Sequence, residues 1–185
     1  MPKAAHLFAL LALGCGGAPL PAESPTPPSE PDKPTDARDR SVWSECYASF
    51  TPTGSPKTDL LRLTRSCGPT GGMQAVTRVH LGEQSERDPA DRYTFYVPKA
   101  GACYRVYAVG DKNVADLDLL LRGPDGEDVS GDLSHDAFPV TPPQGPVCFD
   151  VPGLYLLEVS VFRGSGHYAL QVWGNPDGLG ARSKP

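Results

Sequence analysis

Five cysteines are the residues of this sequence with the clearest potential for chemistry. They stand at positions 15, 46, 67, 103 and 148. No two of them lie close together with a histidine at zinc-ligand spacing, so a cysteine-based metal site is not indicated. Because their number is odd, one cysteine has a separate role if the other four form disulfides.

A second group with potential chemistry is acidic. Asp116 and Asp118 are two residues apart, so they share one face of a predicted strand, and more carboxylates follow in the next loop. Ca²⁺ takes roughly six to eight oxygen ligands, and converging carboxylates repel one another unless a cation joins them. The sequence therefore offers a candidate calcium site at Asp116, Asp118, Asp132 and Asp136. In the alternative, Asp118 caps a loop by accepting hydrogen bonds from backbone amides, and the other carboxylates lie in water.

Familiar catalytic motifs are missing from the sequence. It contains no Gly-x-Ser-x-Gly nucleophile motif, no His-Glu-x-x-His pair and no glycine-rich phosphate loop. Ser165 lies near His167, but the flanking glycines predict a turn there rather than a catalytic dyad. His80 and His135 stand alone. We therefore expect a protein that is not an enzyme, with a small hydrolase using Ser165 and His167 as the alternative.

Sugar binding would require flat, exposed aromatic rings. The candidates on predicted strands are Tyr96, Tyr104, Tyr107 and Trp173. We expect most of them to pack in the core or at sheet edges, and we expect Trp43 to anchor a helix to the sheet. A calcium- or carbohydrate-binding surface module is thus an alternative to a protein-binding one.

The beginning of the chain indicates where these residues work. Lys3 precedes an apolar run over residues 6–13. The run is far shorter than the roughly 20 residues of a transmembrane helix, and its layout is typical of an export signal.

The apolar run ends in the motif Ala12-Leu13-Gly14-Cys15. This motif resembles the lipobox of bacterial lipoproteins. The resemblance implies that residues 1–14 are a signal peptide and that Cys15 is acylated and becomes the new N-terminus. It also implies an outer-membrane location, because Gly16 rather than Asp follows the cysteine. The alternative is an ordinary secretory signal in which Cys15 has no special role.

A linker follows the acylated cysteine. Residues 15–40 contain Cys15 and then a stretch, from position 18, that consists mainly of Pro, Ser, Thr, Glu and Asp. Such a composition cannot form a core and favours extended polyproline II conformations. We expect a semi-rigid spacer that covers roughly 3 Å per residue when it is extended.

Residues 41–74 are predicted to form a short helical preface. Two sets of side chains have the spacing of a helical face. They are Trp43, Cys46, Tyr47 and Phe50, and then Leu60, Leu63, Thr64 and Cys67. Thr58 or Asp59 is the expected N-cap of the second helix, and Gly68 is its expected end.

Export would place the other four cysteines in an oxidising compartment, where three pairings are possible. Two short helices joined by the turn at residues 52–56 would bring Cys46 against Cys67. Closing a loop of this size stabilises the fold by about 3 kcal/mol in the chain-entropy model. By elimination, Cys103 pairs with Cys148 and joins two predicted strands.

After residue 74 the apolar period changes from helical to alternating. Residues 75–174 contain short strand-like runs separated by turns rich in glycine and proline, without intervening helices, which indicates an antiparallel β-sandwich. The runs cover residues 76–81, 92–97, 103–109, 117–121, 147–151, 155–162 and 167–173, with a turn predicted at 163–166. The expected inward side chains are Tyr93, Phe95, Val97, Leu117, Leu119, Leu121, Tyr155, Leu157, Val159 and Val161. Residues 175–185 are expected to form a flexible tail.

The order of the motifs between Asp91 and Trp173 resembles that of the bacterial pre-peptidase C-terminal domain. The similar segments are residues 91–97, 103–109, 115–121 with Pro124-Asp125-Gly126, 153–159 and 164–172. The resemblance implies a jelly-roll-like sandwich with a closing Gly-x-Gly-x-Tyr hairpin. Members of that family often accompany secreted peptidases, but this chain has no room for a peptidase.

Charge narrows the range of partners. The chain has 17 Lys and Arg against 22 Asp and Glu, a net charge of −5, so it lacks a basic field for nucleic acid. We expect a non-catalytic lipoprotein of the cell envelope that is attached to a membrane through its lipid. Its sandwich would bind envelope proteins, such as parts of a secretion, adhesion or motility complex, with glycans as alternative partners.

Overall fold

A computed structural model of the chain describes residues 42–85, 87–88, 90–132 and 134–178. The predicted signal peptide, Cys15, the proline-rich linker and the end of the predicted tail lie outside the described residues. The described elements are α1 (Val42–Glu45), α2 (Pro56–Cys67), a 3₁₀ turn (Thr70–Gly72), β1 (Gln74–Ala75), β2 (His80–Ser85), β3 (Ala90–Val97), β4 (Ala102–Gly110), β5 (Val114–Arg122), β6 (Asp128–Asp132), β7 (Val140–Thr141), β8 (Val147–Phe149) and β9 (Gly153–Asn175). The prediction of a mostly-β, antiparallel fold preceded by two short helices is confirmed.

Strand β9 organises the fold. Its 23 residues pair antiparallel with β1, β2 and β3 in turn along one edge, and with β4 and then β5 along the other. Strand β6 extends the sheet beyond β5, while β7 and β8 pair with β4. One long strand, β9, therefore bends halfway and carries the sheet from one part to the other. We call the part with β1, β2, β4, β7 and β8 layer 1, and the part with β3, β5 and β6 layer 2.

The bend explains a prediction that was wrong. The expected turn at residues 163–166 is part of the continuous strand β9, at the point where it passes from layer 2 to layer 1. Gly164 has φ of +99°, and a Cβ there would lie 2.2 Å from the carbonyl oxygen of Asn113. The Asp111 carboxylate accepts hydrogen bonds from the backbone N–H groups of Asn113 and His167, both at 2.8 Å. Gly164 and Asp111 thus stabilise a sharp corner of β9 between the two layers rather than a hairpin.

The main core lies between the two layers. The side chains predicted to point inward are buried there, apart from the half-buried Tyr93. Aromatic rings fill one end, where the centroids of Phe149 and Tyr155 are 4.0 Å apart and Phe95 and Tyr104 pack beside them. Alternation along the strands therefore identifies part of this core, which also contains residues of β4 and of the second half of β9, such as Val106 and Leu170.

Several strand boundaries differ from the prediction. The run at 76–81 is broken, because the Thr77 carbonyl and hydroxyl both accept hydrogen bonds from β9, from the Gln171 side chain and the Val172 N–H. Residues 128–132, predicted as a loop, form β6 and pair with β5. Strand β7 was not predicted, and β8 ends at Phe149.

Both helices begin or end differently from the prediction. Helix α1 has only four residues and continues as turns, so the pattern from Trp43 to Phe50 is not one helix. Helix α2 begins at Pro56 with Ser55 as N-cap, since proline lacks the N–H that a first helical turn leaves unpaired. Its last residue is Cys67 and Gly68 follows as the C-cap, as predicted; a Cβ on Gly68 would lie 2.6 Å from the Trp173 ring.

Two disulfides join these elements. Cys46–Cys67 links the turn after α1 to the end of α2, and Cys103–Cys148 links residues directly opposite each other in β4 and β8. Both expected pairings are present. Asn175, predicted to start the tail, is buried at the end of β9. Within the described ranges, no helix has the length and apolar character needed to cross a membrane.

Candidate functional site

The outer faces of the two layers differ. On layer 1, α2 places Leu60, Leu63 and Cys67 in a second apolar cluster with Tyr107 and Val109 of β4. These β4 residues alternate with the inward-facing residues of the same strand, so α2 covers the outer face of layer 1. The outer face of layer 2 is exposed, which makes it the candidate interaction surface.

Arg105 fixes the preface on layer 1. Its side chain is fully buried, and its guanidinium donates to the carbonyls of Trp43, Pro142 and Pro143 at 2.6–3.0 Å. The guanidinium carbon also lies 5.4–5.8 Å from the ring centroids of Trp43, Tyr47 and Tyr107. Carbonyl oxygens and ring faces together stabilise a buried cation. Trp43 therefore anchors the preface to the sheet, as expected.

The exposed face of layer 2 contains an apolar strip. Tyr96 of β3 and Leu154 of β9 are register partners, and 59% and 61% of their surfaces are exposed. The strip continues along β9 to the half-buried Leu156 and across to Leu120 of β5. These residues alternate with core residues, so the whole strip faces outward. We call these four residues the free face.

Ion pairs border the free face on two sides. Arg92 and Glu158 pair at 3.0 Å, and Arg122 and Asp128 pair at 2.8 Å. An apolar centre within a polar border is the usual anatomy of a protein–protein interface.

The predicted acidic site is only partly assembled. The buried Asp116 carboxylate lies 3.3 Å from Nδ1 of His135, and its Oδ1 accepts no hydrogen bond from the described residues. Burial, together with the charges of Asp116 and Asp132, raises the pKa of Asp118 to about 6, although His135 opposes this. These carboxylates are therefore close enough to interact electrostatically.

The other two acidic candidates bind backbone amides instead. Asp132 accepts hydrogen bonds from the N–H groups of Val140 and Ser134, and Asp136 accepts one from Phe138. Nowhere in the described part of the chain do three or more His, Cys, Asp or Glu residues form a group that could hold a metal. Two of the four carboxylates proposed from the sequence thus cap loops by accepting hydrogen bonds from backbone amides.

Ser165 and His167 lie at the corner of β9, in an open depression. Among the described residues, no hydrogen bond joins their side chains; Nδ1 of His167 instead lies 3.7 Å from Glu83. Asp111 binds the backbone of His167 rather than its ring. The arrangement is that of a strand corner, and among the described residues the two side chains form no nucleophile–base hydrogen bond.

The aromatic candidates for sugar binding are mostly internal. Tyr104 and Tyr107 are buried, and Trp173 packs in the cluster under α2, where its Nε1 donates to Gln171. Only Tyr96 of this set is exposed. One exposed ring is not enough for a carbohydrate-binding platform. Tyr96, the exposed member of this set, is part of the free face.

One important residue, Arg105, was missed from the sequence, and a second, Asp59, has a role different from the one expected. Arg105 interrupts an otherwise apolar strand, a signal that indicates a buried polar anchor. Asp59 of α2 is fully buried and accepts hydrogen bonds from the N–H groups of Thr53, Gly54 and Ser55. Asp59 was a candidate N-cap of α2. Its carboxylate instead lies within the helix and accepts hydrogen bonds from N–H groups that precede the first helical residue.

Comparison with solved structures shows a similarity to the pre-peptidase C-terminal domain of a collagenase from Bacillus anthracis, known from a 1.0 Å crystal structure. The two are 20% identical, with a TM-score of 0.40, over 51% of this chain and 87% of that domain. The neighbour has the name of the family that the sequence resembles, but a likeness of this extent carries no argument about family or function. No protein-family model and no curated protein matches the chain.

Proposed function

We propose that this protein is a non-catalytic lipoprotein of the cell envelope that binds another envelope protein through its free face. The observation that carries the proposal is the exposed pair Tyr96 and Leu154, at one end of an apolar strip whose other end is flanked by two ion pairs. Aromatic and leucine side chains in such a setting contribute favourable binding free energy when a partner buries them.

Export is supported by the two disulfides, because disulfides persist in oxidising compartments and are rare in the cytosol. The lipid anchor is supported by the lipobox-like motif that ends at Cys15. Acyl chains contribute about 0.8 kcal/mol per buried methylene, so several chains on one cysteine hold a protein on a bilayer. The outer membrane is the proposed location.

Mass spectrometry of the mature protein from membranes tests the anchor. The expected result is an N-terminal Cys15 with acyl groups, together with Cys46–Cys67 and Cys103–Cys148 peptides. A mature N-terminus at another residue would rule out the lipoprotein.

Photo-cross-linking in intact cells tests the free face. A photoreactive amino acid at Leu154 is expected to give a specific adduct with an envelope protein. The matched control is Val42, which is exposed to nearly the same extent, 64% against 61%, but lies in the preface. Equal protein adducts from both positions, or none from Leu154, would contradict a specific partner at the free face.

A further inference from the structure

The solvent side of α2 has an unusual composition. The helix buries Leu60, Leu63, Thr64 and Cys67 and exposes Lys57, Leu61 and Arg65. Thr58, Arg62 and Ser66 are also exposed, but Lys57, Leu61 and Arg65 follow one another at intervals of four and so form a row along one flank of the helix. We call Lys57, Leu61 and Arg65 the basic flank. Leu61 is 43% exposed although it lies in an ordered helix with an apolar face already packed.

The apolar surface extends beyond the helix. Leu81 of β2 is 62% exposed, and its register partner is Ala169 of β9. Ala169 belongs to the same buried cluster as Leu60 and Leu63 of α2. Leu81 therefore lies beside the part of layer 1 that α2 covers, and the surface there has exposed leucines on both helix and strand.

This region is basic in an acidic protein. The whole chain has a net charge of −5, whereas residues 56–83 contain four cations against two acidic residues, the buried Asp59 and the exposed Glu83 of β2. On α2 itself the only acidic residue is Asp59. That carboxylate is buried and pairs with Arg62. No ion pair within the described residues involves Lys57 or Arg65. The basic flank therefore offers positive charge with no neutralising partner from its own helix.

We propose that the basic flank docks on an anionic lipid surface. Each Lys or Arg close to an acidic membrane contributes about 1 kcal/mol, and an exposed leucine between them can enter the interfacial region. Charge complementarity favours an anionic surface, because no ion pair among the described residues involves either cation of the basic flank, and a leucine between two cations suits the interfacial region of a bilayer. The free face lies on the other layer, so both surfaces can be occupied at once.

Such docking is weak alone and effective when the protein is tethered. Two cations and one leucine supply only a few kcal/mol, but an anchored domain meets the membrane at a millimolar effective concentration. The lipid anchor at Cys15 is part of the proposed function. Docking of the basic flank does not depend on that anchor. The test below uses protein without acyl chains, so its failure would leave the anchor and the free face unaffected.

Vesicle co-sedimentation of the full chain carrying Cys15→Ser tests the proposal. Partitioning is compared between phosphatidylcholine vesicles and vesicles with roughly a third phosphatidylglycerol. We expect stronger binding to the anionic vesicles, lost as salt rises from about 0.05 M to 0.5 M. In that background, Lys57→Gln with Arg65→Gln should weaken binding about thirtyfold, and Leu61→Gln roughly fivefold.

The matched control makes the same change in net charge elsewhere. Arg87→Gln with Lys99→Gln alters two exposed cations outside the basic flank and should leave binding unchanged. Equal binding to neutral and anionic vesicles, or equal losses in both double variants, would overturn the proposal. So would flank-dependent binding to soluble poly-aspartate without binding to vesicles, because the surface would then recognise an acidic protein. Near-UV circular dichroism confirms that each variant is folded.

Discussion

At the residue scale, Asp59 organises the start of α2. Burial alone would raise the pKa of Asp59, but hydrogen bonds from Thr53, Ser55 and Gly54 outweigh it and hold the pKa below its ordinary value. The Thr53 hydroxyl and the Arg62 guanidinium also donate to this carboxylate. One ionised side chain thus fixes the loop before the helix and the helix itself.

Asp59→Asn should destabilise the protein by about 2–3 kcal/mol, because the amide cannot accept all of these hydrogen bonds. A group with a lowered folded-state pKa adds stability above its unfolded pKa, and this is lost as pH falls through the folded value. The difference between wild type and variant should therefore be present at neutral pH and shrink below about pH 4. Urea unfolding across pH measures it. Asp128→Asn, at an exposed ion pair, is the control; a loss of equal size there would contradict the special role of Asp59.

Asp118 behaves in the opposite way. Its folded-state pKa is raised from 3.8 to about 6, so the folded protein binds this proton more tightly than the unfolded chain does. The stability that this provides is complete below the unfolded pKa and is lost as pH rises through about 6. Asp118→Asn should stabilise the protein above pH 6 by about 1 kcal/mol, since solvent screens part of the effect. Unfolding on both sides of that pH tests this, with Asp150→Asn as an exposed control. Destabilisation of Asp118→Asn at higher pH would contradict it.

The sequence predicts residues of the core better than polar anchors. Alternation correctly places Leu117, Leu119 and Leu121 in the core, because the two-residue period of a strand can be recognised within that strand alone. Arg105 could not be assigned because its acceptors, Trp43 and Pro143, are far away in sequence. A buried cation is explained only by the fold that brings carbonyls and rings to it.

At the element scale, the corner of β9 shows that local residue types alone do not determine the fold. A Gly-Ser-Gly segment predicts a turn, because glycine permits the backbone angles that turns require. Here the segment lets β9 pair with strands of both layers. Asp111, between the end of β4 and the start of β5, lies at the same corner and binds the backbone of His167. A hairpin and a corner need the same local residues, so only the pairing of β9 with β4 and β5 distinguishes them.

Gly164→Ala should therefore be severely destabilising, by about 3 kcal/mol or more. The new methyl would meet the Asn113 backbone at 2.2 Å in addition to adopting a φ of +99°. Gly126→Ala is a matched control, since its φ is +85° but nothing lies within 4 Å of the new atom. It should lose only about 1 kcal/mol. Thermal unfolding compares the two, and similar losses would show that the corner is not tightly packed.

At the scale of the whole molecule, the two disulfides stabilise different parts. Cys103–Cys148 lies within layer 1 and closes a loop of 45 residues that includes β5 and β6. Cys46–Cys67 closes 21 residues and attaches the preface to α2. The chain-entropy model assigns about 4 and 3 kcal/mol to loops of these sizes. The energies are similar, so the distinction lies in which elements each bond holds.

Paired cysteine-to-alanine variants should reveal this difference by hydrogen exchange. Without Cys46–Cys67, Arg105 still binds Trp43 but the preface lacks its covalent link, so exchange should accelerate in residues 42–50 and at the end of α2. Exchange in β9 should stay slow, because its partners on both edges are unchanged. Without Cys103–Cys148, the loss reaches β4 and hence the central pairing of β4 with β9, so protection should fall throughout the sandwich. If both variants lost protection in β9 equally, the preface and the sandwich would form one cooperative unit.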